Sequence, residues 1–298
     1  VTIPTRRMRQ ESYPTLPQQC YDLPHVKIAV IGLGSIGRRH RENFRALGCD
    51  VIAYDPLTPG IKSLEVALQG ADGAVIATPP ATHIPLAWQA LGAGCHIMVE
   101  KPLSLTLDDT AHFLKAAENA HQVVMVAYPW RYDRSMQAKM HYLHDLSTIH
   151  SWSAWYGYDT ANDTAKQMGA LLDCSHALDF LRWMLGEPTA VYAEIDADRQ
   201  HAEVFMRFGI APGLVTLSQR NPLRCEWQIT GEHGTVDWIR QRDVTYDLNE
   251  TYLAEAAHFL ACIRGEAKPL TDGWDARLTL MLALTAARAA KEKRWIAR

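Results

Sequence analysis

The chain has 298 residues, 48 % of them hydrophobic and 21 % charged, with 30 basic and 33 acidic side chains and a formal charge of −3. That near balance argues against the basic stripe a nucleic-acid binder needs, and the apolar share is enough for one large or two medium folded domains rather than a disordered chain. No apolar run approaches the ~18 residues of a membrane helix, and the arginines at 6, 7 and 9 are not followed by an apolar stretch, so neither membrane insertion nor a signal peptide is expected.

Residues 1–25 carry four prolines and no periodicity, and read as an N-terminal arm. From Val26 the pattern becomes regular. Residues 26–31 form an apolar run ending in glycines, as a buried parallel strand does. A helix is predicted over 35–47, a strand over 51–55, a strand over 73–77 and a helix over 82–92. A strand over 95–99, a helix over 107–120, a strand over 123–127 and a helix near 133–145 follow. Strands separated by such helices imply right-handed crossovers and a parallel sheet. Residues 26–146 are therefore expected to form an α/β doubly wound dinucleotide-binding domain.

Beyond residue 147 the rhythm changes. Strand-like runs over 149–158, 190–197, 202–208, 214–219 and 226–230 are joined by short turns, which favours antiparallel pairing. Helices are predicted over 170–185, 250–264 and 274–291. Residues 147–298 thus read as an α+β domain on a mostly antiparallel open sheet. The six cysteines, at 20, 49, 95, 174, 225 and 262, include no Cys-x-x-Cys pair. Reduced thiols, a cytoplasmic location and no metal site are expected.

The segment Gly32-Leu33-Gly34-Ser35-Ile36-Gly37 fits G-x-G-x-x-G, directly after a strand and opening a helix. The first glycine allows the tight turn, the second lets backbone approach a pyrophosphate, and the third packs helix on strand. The amides at the helix start then face the phosphates. Asp55 ends the second strand, where its carboxylate can accept from both ribose hydroxyls and repel a 2′-phosphate. NAD is favoured, with NADP possible.

Lys101 follows the fourth strand, and ligands bind beyond the carboxyl ends of such strands. Read alone, Lys101 is a loop cation and Pro102 a strand terminator; the helix over 170–185 turns the reading toward a site. In the helix 170–185, Leu171, Cys174, Leu178, Leu181 and Leu185 form a core stripe. Asp173 and His176 lie three apart on another face with Phe180 and Trp183. A histidine titrating near neutrality suits removal of an alcohol proton as hydride leaves carbon, with a carboxylate to orient it and a lysine to hold the oxygen. The same pair could also merely tie the helix to a loop.

These residues resemble the family named after glucose–fructose oxidoreductase and inositol dehydrogenase. The resemblance rests on residues 32–40, Ala77-Thr78-Pro79-Pro80-Ala81-Thr82-His83, Glu100-Lys101-Pro102, residues 169–179 and Gly231-Glu232-His233-Gly234-Thr235. It covers nearly everything after Val26. It implies a Rossmann domain, a catalytic group of Lys101, Asp173 and His176, and His176 as the proton-transfer residue. It further implies a cofactor surface including Ser35, Ile36, Thr78, Pro79, His83, Glu100 and Lys101. Arg131 would lie near the substrate with Lys101, Asp173 and His176, or else anchor the domain junction. The second sheet would serve a homodimer or homotetramer. The aspartate–histidine spacing is three here rather than the four common in the family, and it resembles a branch linked to bacterial surface-sugar synthesis. The stretch between Tyr158 and Gly169 is short, and Pro129-Trp130 replaces a more polar pair.

The implied activity is hydride transfer between nicotinamide and an alcohol or ketone of a sugar, cyclitol or nucleotide-linked sugar. Alternatives are a dinucleotide-binding sensor or scaffold without turnover, and a glycosidase that uses transient oxidation. The remaining histidines suggest no metal site: His141 and His144 read as a solvated helix face and His40 as a packing residue. Trp152 and Trp155 point to opposite faces of a strand, one into the core and one toward an association surface.

Overall fold

A computed structural model of the chain describes residues 26–58, 63–220, 223–240 and 248–298; the expected N-terminal arm, Cys20 included, lies outside them. The chain folds into two compact units. The first holds described residues 26–132 and 248–277, the second 133–240 and 278–298.

In the first unit the elements alternate as β1 (Lys27–Ile31), α1 (Ser35–Ala46), β2 (Asp50–Tyr54), α2 (Leu64–Leu68), β3 (Gly73–Ile76), α3 (His83–Gly92), β4 (His96–Glu100), α4 (Thr110–Asn119) and β5 (Val124–Ala127). The sheet order is β2-β1-β3-β4-β5 and every pair is parallel. The order reverses between β1 and β3, and such a switch point opens a crevice at the carboxyl ends of the strands. Alternate strand residues feed two apolar layers. Ala29, Ile31, Ala74, Ile76, Ile97 and Val99 pack with Leu68, Ile84 and Phe113 on one face. Ile28, Val30, Val75 and Met98 pack with Phe44 and Phe259 on the other.

Phe259 belongs to α9 (Leu248–Ile263), and its ring meets Phe44 edge-on at 6.2 Å. The segment 248–277 was expected in the C-terminal domain, yet it groups with the first unit. Its apolar residues Ala256, Phe259 and Leu260 fill the layer beside α1. Thr271 then locks to β5, donating Oγ1 to the Val126 carbonyl at 2.6 Å and accepting the Val126 amide at 2.9 Å. Conversely, residues 133–146 group with the second unit, where Trp238 Nε1 donates to Ser135 Oγ at 2.8 Å.

The second unit carries a seven-stranded sheet, ordered β11-β10-β6-β9-β8-β7-β12. Its strands are β6 (Ile149–Gly157), β7 (Ala190–Ile195), β8 (His201–Phe208), β9 (Ala211–Ser218), β10 (Arg224–Gly231), β11 (Gly234–Ile239) and β12 (Ile296–Ala297). All neighbours are antiparallel except β6 and β9, which run parallel. Its helices are α5 (Arg134–Leu143), α6 (Asp163–Met168), α7 (Ala170–Asp173), α8 (Ser175–Leu185) and α10 (Gly273–Glu292), the last entering from residue 278 onward. Val204, Met206, Val215, Leu217 and Ile229 are buried while Glu203, Phe205, Leu214 and Thr216 keep partial exposure, so one face is core and the other is open. Trp152 is buried and Trp155 half-exposed, as their spacing implies.

The helix expected over 170–185 is broken. Cys174 leaves helical geometry with φ −88° and ψ 21°, which separates α7 from α8. Four short elements, α2, α6, β11 and β12, have no counterpart in the predicted set. No helix among the described residues is long and apolar enough to cross a membrane. Nor do the described residues hold a cluster of metal-ligating side chains; His141 and His144 are both exposed on the surface.

Candidate active site

The glycine turn is built by close approach. Gly32 has φ +92°, and a Cβ there would sit 2.5 Å from the Ala77 carbonyl oxygen. A Cβ on Gly37 would sit 2.0 Å from the Gly32 carbonyl oxygen, so only glycine lets α1 start this near β1. Around Gly34 a Cβ would meet nothing within 4 Å. Among the described residues nothing fills the space above the start of α1, and no side chain caps that helix. Uncapped amides facing open space suit a pyrophosphate. Ser35 is exposed and Ile36 half-exposed beside them.

Asp55 is tied to this turn. Its Oδ2 accepts the Leu33 amide at 2.7 Å and its Oδ1 accepts the Leu57 amide at 2.8 Å. From the other side, Arg38 Nε donates to the Leu33 carbonyl at 2.8 Å. The peptide groups of Leu33 are thus gripped by one acid and one base, which leaves the half-buried carboxylate at the end of β2 in a defined orientation. An open glycine turn with a carboxylate at its rim fits a dinucleotide.

Beyond β3, Thr78 is half-exposed and Pro79 exposed. Thr82 Oγ1 donates to the Pro79 carbonyl at 2.7 Å, so its single proton is used and Thr78 is the donor in the 2.7 Å Thr78–Thr82 hydroxyl bond. His83 departs from expectation. It has no exposed surface, with Nδ1 2.8 Å from the Pro102 carbonyl and Nε2 2.9 Å from the Thr78 carbonyl. Burial pushes its pKa below the ordinary value, against two carbonyl oxygens that favour the charged form. A neutral ring carries one N–H, so it donates to one carbonyl and abuts the other. The expectation that His83 lines the cofactor surface is corrected: it braces the turns after β3 and β4 from inside.

Glu100 is also held from inside. It keeps 8 % exposure. Its Oε1 pairs with His40 Nε2 at 2.7 Å and its Oε2 accepts the Lys101 amide at 3.2 Å. His40, fully buried as expected of a packing residue, thereby links α1 to the backbone of Lys101. Lys101 itself is half-buried at the carboxyl end of β4.

For Arg131 the geometry favours the anchoring alternative. Arg131 is 3 % exposed. One guanidinium nitrogen donates to the Leu270 carbonyl at 2.8 Å and another lies 2.5 Å from Asp275 Oδ2. The side chain expected near substrate is engaged within its own unit, fastening the turn after β5 to the start of α10.

In the second unit Asp173 closes α7 and His176 lies in the first turn of α8, with 2 % and 7 % exposure. Asp173 Oδ2 accepts the Tyr158 hydroxyl at 2.5 Å and Gln219 Nε2 at 2.7 Å. The His176 ring lies 6.0 Å from Tyr156, edge to face. Phe180 is buried and Trp183 half-exposed, so the face carrying Asp173 and His176 is not a solvated one. The reason differs from an amphipathic stripe: α8 is buried almost all round, as a helix within a core is. Tyr158 and Gln219 went unnoticed in the sequence, because they reach Asp173 through strand register rather than helical spacing.

Comparison with known proteins meets this geometry from both sides. Residues 53–128 match the family described as an oxidoreductase family with an NAD-binding Rossmann fold, and residues 126–237 match the GFO/IDH/MocA C-terminal domain. The chain belongs to the Gfo/Idh/MocA oxidoreductase family. Residues 3–83 also match the NAD-binding domain of D-isomer specific 2-hydroxyacid dehydrogenases, as a shared glycine turn would cause. The chain is 25 % identical to scyllo-inositol 2-dehydrogenase (NAD(+)) of Bacillus subtilis, over 88 % of this chain and 93 % of that protein. It is 26 % identical to UDP-N-acetylglucosamine 3-dehydrogenase of Acidithiobacillus ferrooxidans, over 38 % of this chain and 40 % of that protein. Its fold superposes on the WlbA dehydrogenase of Bordetella pertussis, solved with NADH and UDP-GlcNAcA, with a TM-score of 0.81 at 20 % identity, covering 92 % of this chain and 99 % of that one. As a Gfo/Idh/MocA protein, the chain is an NAD-dependent oxidoreductase, and the glycine turn with Asp55 is the part of the structure that fits the cofactor.

Proposed function

We propose that the chain transfers hydride between NAD and a ring alcohol or ketone of a sugar, cyclitol or nucleotide-linked sugar. The relatives named for scyllo-inositol and UDP-N-acetylglucosamine support that substrate class. The observation that carries the chemistry is Asp173, a carboxylate 2 % exposed, held by two donors and followed three positions later by His176. Burying a carboxylate is costly unless hydrogen bonds or a counter-charge offset it, and here Tyr158 and Gln219 are aimed at it.

In this reading bound NAD supplies the hydride acceptor. His176 takes the hydroxyl proton as the C–H bond breaks and the carbon–oxygen bond becomes double. Asp173 orients the imidazole, and the Lys101 ammonium holds the oxygen as charge develops. Gly32, Gly34, Ser35, Ile36, Gly37, Asp55, Thr78 and Pro79 form the dinucleotide surface. The Asp55 carboxylate favours NAD over NADP. The open face of the second sheet, where Tyr192, Phe205, Leu214 and Trp155 keep partial exposure, pairs with a second copy in a dimer or tetramer. The cysteines of the described residues are free thiols, which suits a cytoplasmic setting.

Purified protein, NAD and a panel containing scyllo-inositol and UDP-N-acetylglucosamine test the reading. Nicotinamide absorbance should change with turnover, and His176→Ala should lower the rate about 10²–10⁴-fold. Full activity in His176→Ala would end the assignment. Product release without an absorbance change would favour transient oxidation instead.

A further inference from the structure

Two strand ends meet beside Asp173. β6 and β9 run parallel with Gly157 opposite Ser218. A Cβ on Gly157 would lie 2.4 Å from the Ser218 carbonyl oxygen, so a larger residue would force the strands apart at this end. The chain then continues as Tyr158 and Gln219, side by side. The Tyr158 amide donates to the Ser218 carbonyl at 3.0 Å, and the Gln219 amide donates to the Gln200 carbonyl at 2.9 Å. Both side chains converge on one atom, Asp173 Oδ2.

The donors are specific. Gln219 Nε2 reaches the Ala165 carbonyl at 2.8 Å as well as Asp173, so each of its hydrogens faces an oxygen. A flipped amide would set its oxygen against both acceptors. Gln219 is 1 % exposed, and its own Oε1 has no hydrogen bond among the described residues. An orphaned buried acceptor is destabilising, and here it accompanies an amide whose donors are both spent near Asp173. The same strand end also reaches His176. Tyr156 stands 6.2 Å from Tyr158 and 6.0 Å from the His176 ring, edge to face in each case.

Resting on the reading that Asp173 serves His176, we propose that Tyr158 and Gln219 are positioning residues for the reaction. Together they hold the Asp173 carboxylate in one rotamer, and neither needs to touch substrate. The strand register, through Gly157, sets their common aim. Each acts through Asp173, so its effect vanishes when the carboxylate is absent.

A double-mutant cycle reads that dependence. Tyr158→Phe and Gln219→Met, each near the parent in shape, are made alone and with Asp173→Ala in the full chain. Steady-state rates are taken with NAD on whichever of scyllo-inositol and UDP-N-acetylglucosamine is turned over, and thermal unfolding is followed without substrate. Each single change should lower kcat about tenfold while the KM for NAD stays within about twofold. In the Asp173→Ala background the further loss should fall below about twofold, and the losses in Tm should be less than additive. Unchanged kcat in both single variants, an equal fold-loss in the Asp173→Ala background, or fully additive Tm losses would overturn the proposal. Wild-type kcat in Asp173→Ala would instead sink the catalytic reading of Asp173, an outcome distinct from the failure of Tyr158 and Gln219 alone. Should Tyr158→Phe fail to fold, the Gln219→Met arm decides.

Discussion

The glycine turn and the Asp173 site are both held by hydrogen bonds to a carboxylate, but the partners come from different places. At the turn, Asp55 grips the Leu33 amide and Arg38 grips the Leu33 carbonyl, and backbone groups do most of the work. At Asp173 the donors are two side chains, Tyr158 and Gln219, delivered by adjacent strands. A backbone-built site survives many side-chain changes but tolerates no added Cβ where backbones touch, at Gly32 and Gly37. A site built from side chains has the opposite sensitivities.

The sharpest break of that comparison is Gly37→Val. Its Cβ would collide with the Gly32 carbonyl at 2.0 Å. We expect roughly 3–4 kcal/mol of destabilisation and loss of measurable NAD binding, read by thermal unfolding and calorimetry. A variant that still binds NAD normally would show that the turn relaxes freely.

Arg131→Met comes next. It strips the partner from Asp275, whose side chain keeps 21 % exposure. The expected cost is roughly 2–3 kcal/mol, below that of a fully buried pair. Substrate KM should stay within about twofold. A large rise in KM with little loss of stability would restore Arg131 to the substrate site.

Asp55→Ala tests the turn more gently. Removing the carboxylate should shift the NAD-to-NADP preference about tenfold toward NADP, roughly 1.4 kcal/mol, with weaker NAD binding as well. An unchanged ratio would separate Asp55 from cofactor choice.

The smallest effect concerns pH. His96 Nδ1 accepts the Val123 amide at 3.0 Å, which requires the ring to be unprotonated there. Burial pushes its pKa below the ordinary 6.5, with Asp72 pulling the other way. The unfolded chain therefore takes the proton first, so this contribution is present above about pH 6.5 and is lost as pH falls toward the folded value. His83, also lowered by burial, adds in the same direction. His96→Gln should flatten the fall of Tm between about pH 7 and 5; an unaltered slope would assign the fall to other groups.

Much of the first unit was legible in the sequence. Its strands fell within a residue or two of their expected places, because fully apolar runs between amphipathic helices leave few alternatives. Gly32 and Gly37 were readable as a short motif, and Asp55 as an acid ending the strand that follows. His83 was misplaced, and Glu100 and Arg131 were left open, because polarity alone does not say whether a group faces ligand or an internal partner. The segment 248–277 was assigned to the wrong unit because an apolar helix face does not name the layer it will cover.

By itself the sequence determined the alternating architecture, the glycine turn, the acid at its rim and the candidate pair Asp173 and His176. These depend on periodicity and on chain-local geometry. The tertiary structure alone decided that Tyr158 and Gln219 converge on Asp173, that His40 and His83 brace the segment around Lys101, and that Arg131 is held by Asp275. Such partnerships are set by which strands and turns become neighbours, and no single stretch of chain carries that information.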